Sequence, residues 1–226
     1  MLTLLLALTT AQAKPLTSSE FDDTAHTLKE GQKQIDVFRE SQFAISKELE
    51  LKTTFLSWLG GPNAGLEYAI RQNKQGALSV GANASTGWLF GSQAVSGNVR
   101  WTKGGPKGNR VNLAAGVGVG TASVDGERYF APSTMLYWSY HLSTNKKTVW
   151  RFYAEADPYN AVQLKTFVGS AGAEWTRGFG DAGRVALGLK YQDTTRLVTW
   201  VDRADGDSSN LPAMLPLPSL DLFFTF

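Results

Sequence analysis

From residue 32 onward, apolar residues alternate with small or polar ones at a period of two, and the pattern keeps returning with turn chemistry between its appearances. Leu78, Val80, Ala82, Ala84, Thr86 and Trp88 interleave with Ser79, Gly81, Asn83, Ser85 and Gly87. Val111, Leu113, Ala115, Val117 and Val119 interleave with Asn112, Ala114, Gly116, Gly118 and Gly120. The same division separates Leu136, Trp138, Tyr140 and Leu142 from Met135, Ser139 and His141, and Val185, Leu187, Leu189 and Tyr191 from Ala186, Gly188, Lys190 and Gln192. Each stretch is a strand with one oily face and one small or polar face. No amphipathic pattern of helical length competes with them.

The turns predict strands near 32–38, 41–46, 48–58, 64–72, 77–89, 94–103, 110–122, 128–142, 148–156, 162–178, 185–200 and 216–226. The expected fold is therefore all-β, an antiparallel transmembrane β-barrel of about 12 strands, with 10 as the alternative if the first hairpin and another marginal strand are lost. Two features favour a membrane barrel over a soluble sandwich. Tight polar turns at 46–48, 73–76, 104–109, 143–147 and 180–183 alternate with more variable connections at 60–63, 91–94, 125–127, 157–160 and 202–216. Trp88, Trp101, Trp138, Tyr140 and Trp150 fall on the oily faces near predicted strand ends, where an aromatic girdle belongs. On a soluble protein such exposed rings would invite aggregation.

The two ends of the chain sharpen this picture. Residues 2–8 are an apolar run followed by Ala11-Gln12-Ala13, a small-x-small cleavage site, so 1–13 reads as a signal peptide without its usual basic n-region. Residues 14–30 are polar and aperiodic, and are expected to form a periplasmic leader, short and extended, with Ser18 or Ser19 as N-cap of any brief helix. The barrel domain is then 31–226. At the other end Leu220, Leu222, Phe224 and Phe226 alternate with Ser219, Asp221, Phe223 and Thr225, so a strand with one oily face runs to the last residue.

Leu222, Phe224 and the terminal Phe226 resemble the C-terminal signature by which the assembly machinery recognises bacterial outer-membrane barrels. Phe226 would also join the girdle. Glu48-Leu49-Glu50-Leu51 and Pro62-Asn63-Ala64-Gly65-Leu66-Glu67-Tyr68 are similar to the opening of a group of small, poorly characterised bacterial outer-membrane proteins. The segments Arg39-Glu40 and Ser46-Lys47-Glu48 depart from that pattern. The resemblance implies the outer membrane and a barrel fold, and it names no substrate.

Composition excludes several classes. The 22 basic and 20 acidic residues are dispersed, which leaves no nucleic-acid footprint. No Cys is present, and His26 and His141 are the two histidines, so neither a thiolate site nor a metal centre is expected, nor any cofactor. Mean hydropathy is −0.19, and no run approaches the roughly 18 apolar residues of a spanning helix. Barrel strands escape such an average because their two faces cancel.

With the oily faces outward, the opposite parity lines the lumen. That assigns Asp36, Glu50, Glu67, Glu155 and Asp221 against Lys52, Arg71, Arg100, Arg151, Lys165 and Lys190, a balanced interior and not a single-sign ring. Balance points to interlocking salt bridges that narrow or fill the lumen. The expected function is a narrow or closed channel, or a structural envelope component, with outer-membrane lipid and the assembly machinery as its partners and the monomer as its state. The alternatives are a lipid-modifying outer-membrane enzyme and a soluble lipocalin-like binding protein. Catalysis is not expected, because His141 with Ser139 and Ser143 shows no recognisable nucleophile arrangement. Gly116, Gly118 and Gly120 lack the following helix of a phosphate loop, and the 202–216 segment, despite three aspartates at 202, 205 and 207, lacks the frame of a calcium hand.

Overall fold

The computed structural model describes residues 16–17, 20–88, 91–105, 107–124, 127–164, 168–180, 182–193 and 214–226. The predicted signal peptide, Lys165 and most of the 202–216 loop lie outside them. Twelve strands form one closed antiparallel barrel in sequence order: β1 (Lys33–Asp36), β2 (Ser41–Ala44), β3 (Leu49–Thr53), β4 (Asn63–Asn73), β5 (Gly76–Gly87), β6 (Ser92–Lys103), β7 (Arg110–Val124), β8 (Glu127–Asn145), β9 (Thr148–Ala156), β10 (Gly169–Phe179), β11 (Gly183–Asp193) and β12 (Met214–Thr225). The alternative of ten strands is set aside. The reversal expected around Arg39-Glu40 is present, because Asp36 Oδ1 accepts from the Phe38 and Arg39 amides at 3.0 and 2.8 Å and turns the chain.

The last strand closes the wall against the first. Lys33 N donates to the Phe226 carbonyl at 3.0 Å and Phe226 N to the Lys33 carbonyl at 2.8 Å. Gln34, Ile35 and Asp36 pair with Thr225, Phe224 and Phe223. The oily parity faces outward throughout: Leu66, Val95, Val117, Leu136, Leu187 and Leu220 are all exposed, Val117 at 68%. Ser79, Asn112, Ser139 and Thr176, on the opposite parity, are completely buried in the interior.

Four expectations need correction. Residues 55–59 do not extend β3, since Phe55–Leu59 is a 3₁₀ turn leading to Gly61, where a Cβ would meet the Thr86 carbonyl at 1.8 Å. The stretch after β9 is not strand either. It folds into α1 (Pro158–Leu164), tied to β8 by Asp157, whose Oδ1 accepts from Thr134 N at 3.2 Å and Thr134 Oγ1 at 2.9 Å. Burial pushes the Asp157 carboxyl up, but hydrogen bonds from Asn160 and Thr134 outweigh it and hold the group below its ordinary value. Trp138 does not sit near a strand end, because β8 is 19 residues long and extends beyond it on both sides. Finally, Arg71 faces outward and not into the lumen. Ala69 pairs with Ser79 and Arg71 with Leu78, so a β-bulge at Ile70 inserts one residue and flips the parity that follows.

The wall is uneven in height. β1 and β2 have four residues and β3 five, whereas β4 to β12 have nine to nineteen. β12 therefore meets β1 only near its C-terminal end, and among the described residues no strand pairs with the rest of that same edge, from Met214 to Asp221, while its opposite edge pairs with β11. Leu222 and Phe226 direct their backbone groups toward β1, as Val37 N to Leu222 O at 3.1 Å and Phe226 N to Lys33 O show, while Thr225 N turns to Ala182 on the other side. By the two-residue period, Pro216 and Pro218 present their missing N–H to the same side as Leu222. Both prolines thus sit where no ladder bond is lost, and they blunt an edge that could otherwise recruit another strand.

Candidate functional site

The lumen is occupied by the chain's own leader. It does not run free and extended outside the barrel: Leu16, Phe21, Ala25 and Leu28 are all at or below 4% exposure. The segment enters at the end of the barrel with the short turns, where Leu16 N donates to Lys146 O at 2.8 Å, and turns at Phe21 to Thr24. It leaves beside the β2–β3 turn, where Thr27 Oγ1 donates to Lys47 O at 3.0 Å and Leu28 N donates to the Glu50 carboxylate. No apolar core of ordinary size fills a barrel lined with Ser, Asn and charge, so the leader supplies both apolar filling and counter-charge.

Glu20, Asp22 and Asp23 of the leader each have a basic or hydroxyl partner on the wall. Glu20 Oε1 accepts from Arg184 Nη2 at 2.8 Å. Asp22 Oδ1 meets Arg151 Nη1 at 2.8 Å, and its carbonyl accepts from Arg100. Asp23 Oδ2 gathers three partners: Ser139 Oγ at 2.5 Å, Tyr137 Oη at 2.8 Å and His141 Nε2 at 2.9 Å. His141 is fully buried, its Nδ1 accepts from Arg110 Nε at 2.9 Å, and Phe21 stacks edge-on at 4.8 Å between centroids. The chain Asn112 Nδ2 to Ser139 Oγ, Thr102 Oγ1 to Asn112 Oδ1 and Ala25 N to Thr102 Oγ1, all near 2.9 Å, extends the network across three strands back to the leader.

Wall charges also pair among themselves. Glu67 holds Lys52 Nζ at 2.5 Å and Arg100 Nη1 at 3.1 Å, and accepts from Ser79 Oγ at 2.5 Å. Arg39, projecting inward from the β1–β2 turn, bridges Glu174 and Asp221, the latter at 2.9 Å, while Arg151 shares Glu174 at 3.1 Å. Asp36, Glu50, Lys52, Glu67, Arg151 and Asp221 are thus buried in the interior as their parity predicts, with Arg100 beside them. Glu155 and Lys190 are half-buried on the same inward parity and have no ion pair among the described residues. Arg71 stands apart on the outside.

Glu20, Asp22, Asp23, Arg39, Arg110, Glu174 and Arg184 were missed as site residues. Three of them carried a legible signal: Val111, Trp175 and Val185 face outward, so Arg110, Glu174 and Arg184, each one residue earlier, must face inward. The leader acids had none, because a segment without period does not announce a face.

As chemistry, the cluster binds charge and offers no nucleophile. With Nδ1 accepting from Arg110, His141 carries its proton on Nε2 and donates it to Asp23, so neither nitrogen is left to take a proton from Ser139. Ser139 donates to Asp23 instead. On the loop side of the leader a polar cavity of about 360 Å³ remains, lined by Asp22, Arg39, Tyr137, Arg151, Tyr153 and Lys190. A larger groove of about 890 Å³ lies on the outward face between α1 and β6–β8, bordered by Val99, Val117, Leu136 and Val162, and it is apolar. The described residues hold no group of three potential metal ligands. Comparison with protein-family models, with curated proteins and with solved structures finds no match to this chain.

Proposed function

We propose that the protein is a β-barrel of the bacterial outer membrane whose lumen is closed at rest by its own leader, a narrow or closed channel with a structural role in the envelope. A continuous outward apolar face on strands of about ten residues or more, as β4 to β12 nearly all provide, suits a hydrocarbon layer. The tight β4–β5, β8–β9 and β10–β11 turns at one end, against connections of very unequal length at the other, support the same location. A lipocalin-like reading requires an apolar interior, and this interior is polar and ion-paired. An enzymatic reading requires a free base beside a nucleophile, which His141 and Ser139 do not supply.

The single observation that carries the closed lumen is the leader itself, seated on Arg184, Arg151 and His141 through three carboxylates. The chain is expected to sediment with outer membranes and to migrate differently on detergent gels before and after boiling. In planar bilayers the intact protein should show no large stable steps. A chain that stays soluble without detergent would sink the membrane reading, and large open steps from the intact chain would sink the closure.

A further inference from the structure

We propose that the basic side chains holding the leader form an anion-binding path, and that with the leader withdrawn the barrel is an anion-selective pore for small solutes bearing carboxylate or phosphate groups. This rests on the membrane-barrel reading above and goes beyond it in naming the solute charge.

The argument begins with register. Arg110 on β7 lies opposite His141 on β8, His141 opposite Arg151 on β9, and Arg151 opposite Glu174 on β10. One rung across four strands thus carries two arginines, the neutral His141 between them and a single acid, and Asp23 of the leader sits on it. Arg184 on β11 adds a third cation. Its one ion-pair partner among the described residues is Glu20, and it is 2% exposed. Arg110, also 2% exposed, has no carboxylate within ion-pair distance among the described residues. Its Nε donates to His141, its Nη1 donates to the Gly108 carbonyl at 3.3 Å, and its guanidinium lies 4.9 Å from the Phe21 ring centre. Its Nη2 is buried without a hydrogen-bond partner.

The leader brings only one sign of charge to this rung. Residues 16–28 contain Glu20, Asp22 and Asp23 and no Lys or Arg. Withdrawal of that segment removes three negative charges and no positive one. What remains are Arg110 and Arg184 without a carboxylate, and Arg151 with Glu174, which Arg39 also holds. Buried charge left without a partner is costly, so the vacated lumen must take up water and counter-ions. At this rung the arginines then outnumber the single acid Glu174, and a local excess of one sign at a constriction favours the opposite ion. The leader carboxylates are then the intramolecular occupants of positions that a solute carboxylate or phosphate would visit in transit.

The test uses a full-length chain with a protease site inserted at 30–32, beside the exposed Lys33, so that the barrel folds with its leader and is cut afterwards. In planar bilayers under a KCl gradient, the uncut chain should stay closed. The cut and washed barrel should open, with a reversal potential on the chloride side, and added inorganic phosphate should block it. A synthetic peptide of residues 16–28 should reclose it, whereas the same peptide with E20Q, D22N and D23N should not. Adding Arg151→Gln and Arg184→Gln to the cut barrel should bring the chloride preference down toward none. A leader-free barrel that stays closed, or conducts without preferring anions, overturns the proposal, as does a cut leader that cannot be washed out. Heat-modifiable migration of the same samples separates the outcomes: a barrel that passes it and fails the conductance test loses the anion path but keeps the membrane reading.

Discussion

At the scale of single residues, the charges inside this barrel are arranged by the cost of leaving any of them alone. Arg184 and Glu20 illustrate it: both are at or below 5% exposure, and each is the other's one ion-pair partner among the described residues. Removing one member of a buried pair typically costs about 3–5 kcal/mol, because the survivor is stranded, whereas replacing both can be nearly neutral. Arg184→Ala is therefore expected to lower the temperature at which the folded gel form is lost, and E20Q combined with Arg184→Gln should recover much of that loss. If the double variant is no better than the single one, the pair is not the source of the effect. Gly172 shows a steric counterpart, since a Cβ there would stand 2.6 Å from the Tyr153 hydroxyl and 2.7 Å from the Leu189 carbonyl. Gly116 is tight in the same way, a Cβ there standing 2.9 Å from the Gly97 carbonyl, whereas at Gly120 a Cβ would meet nothing closer than 3.7 Å. Arg71 marks where parity arguments stop: its identity says charge, but a bulge one residue earlier sets its direction.

At the scale of elements, strand length and edge chemistry explain features that the alternation alone leaves unaccounted for. Four-residue strands β1 and β2 cannot cover the full length of β12, and the uncovered edge is the one that Pro216 and Pro218 face with no N–H to offer. Replacing both prolines by Val restores two donors on an exposed edge, which is the circumstance that invites strand addition between copies. The double variant should form larger species in detergent than the native chain does, read by light scattering. An unchanged mass would mean that the edge is covered by other parts of the protein. α1 shows tertiary context overriding pattern. Residues 162–168 alternate too weakly to choose a state, and the Asp157 contacts to Thr134 fix a short helix against β8.

At the scale of the whole molecule, closure depends on the chain's final residues. Phe226 exchanges two backbone hydrogen bonds with Lys33, and Phe224 stacks on it at 6.4 Å between centroids. Two backbone bonds contribute about 1–3 kcal/mol together, so deleting Phe226 should weaken the seam without abolishing the other eleven strand pairings. Less of the deleted protein is expected to reach the heat-modifiable form in cells, while whatever does assemble keeps a closed lumen. Equal yields of assembled protein from both chains would show that the last ring matters to neither seam nor assembly.

The strand count, the direction of the oily faces and the inward placement of most charges were legible from the amino-acid sequence. Each follows from local rules: a two-residue side-chain period, turn residues and the need to keep apolar faces on one side. The leader's seat inside the lumen was not legible, because residues 16–28 have no period, and their place is decided by wall arginines more than a hundred residues away. Nor was the direction of Arg71, the helical state of Pro158–Leu164 or the cross-strand rung of Arg110, His141 and Arg151, since a bulge, a tertiary hydrogen bond and a register exist only once strands are paired. The alternation along the chain determined that two-faced strands form and which residues share a face. Only the folded structure decided that the barrel is plugged, because a plug is a match between distant charges, and that match has no local signature.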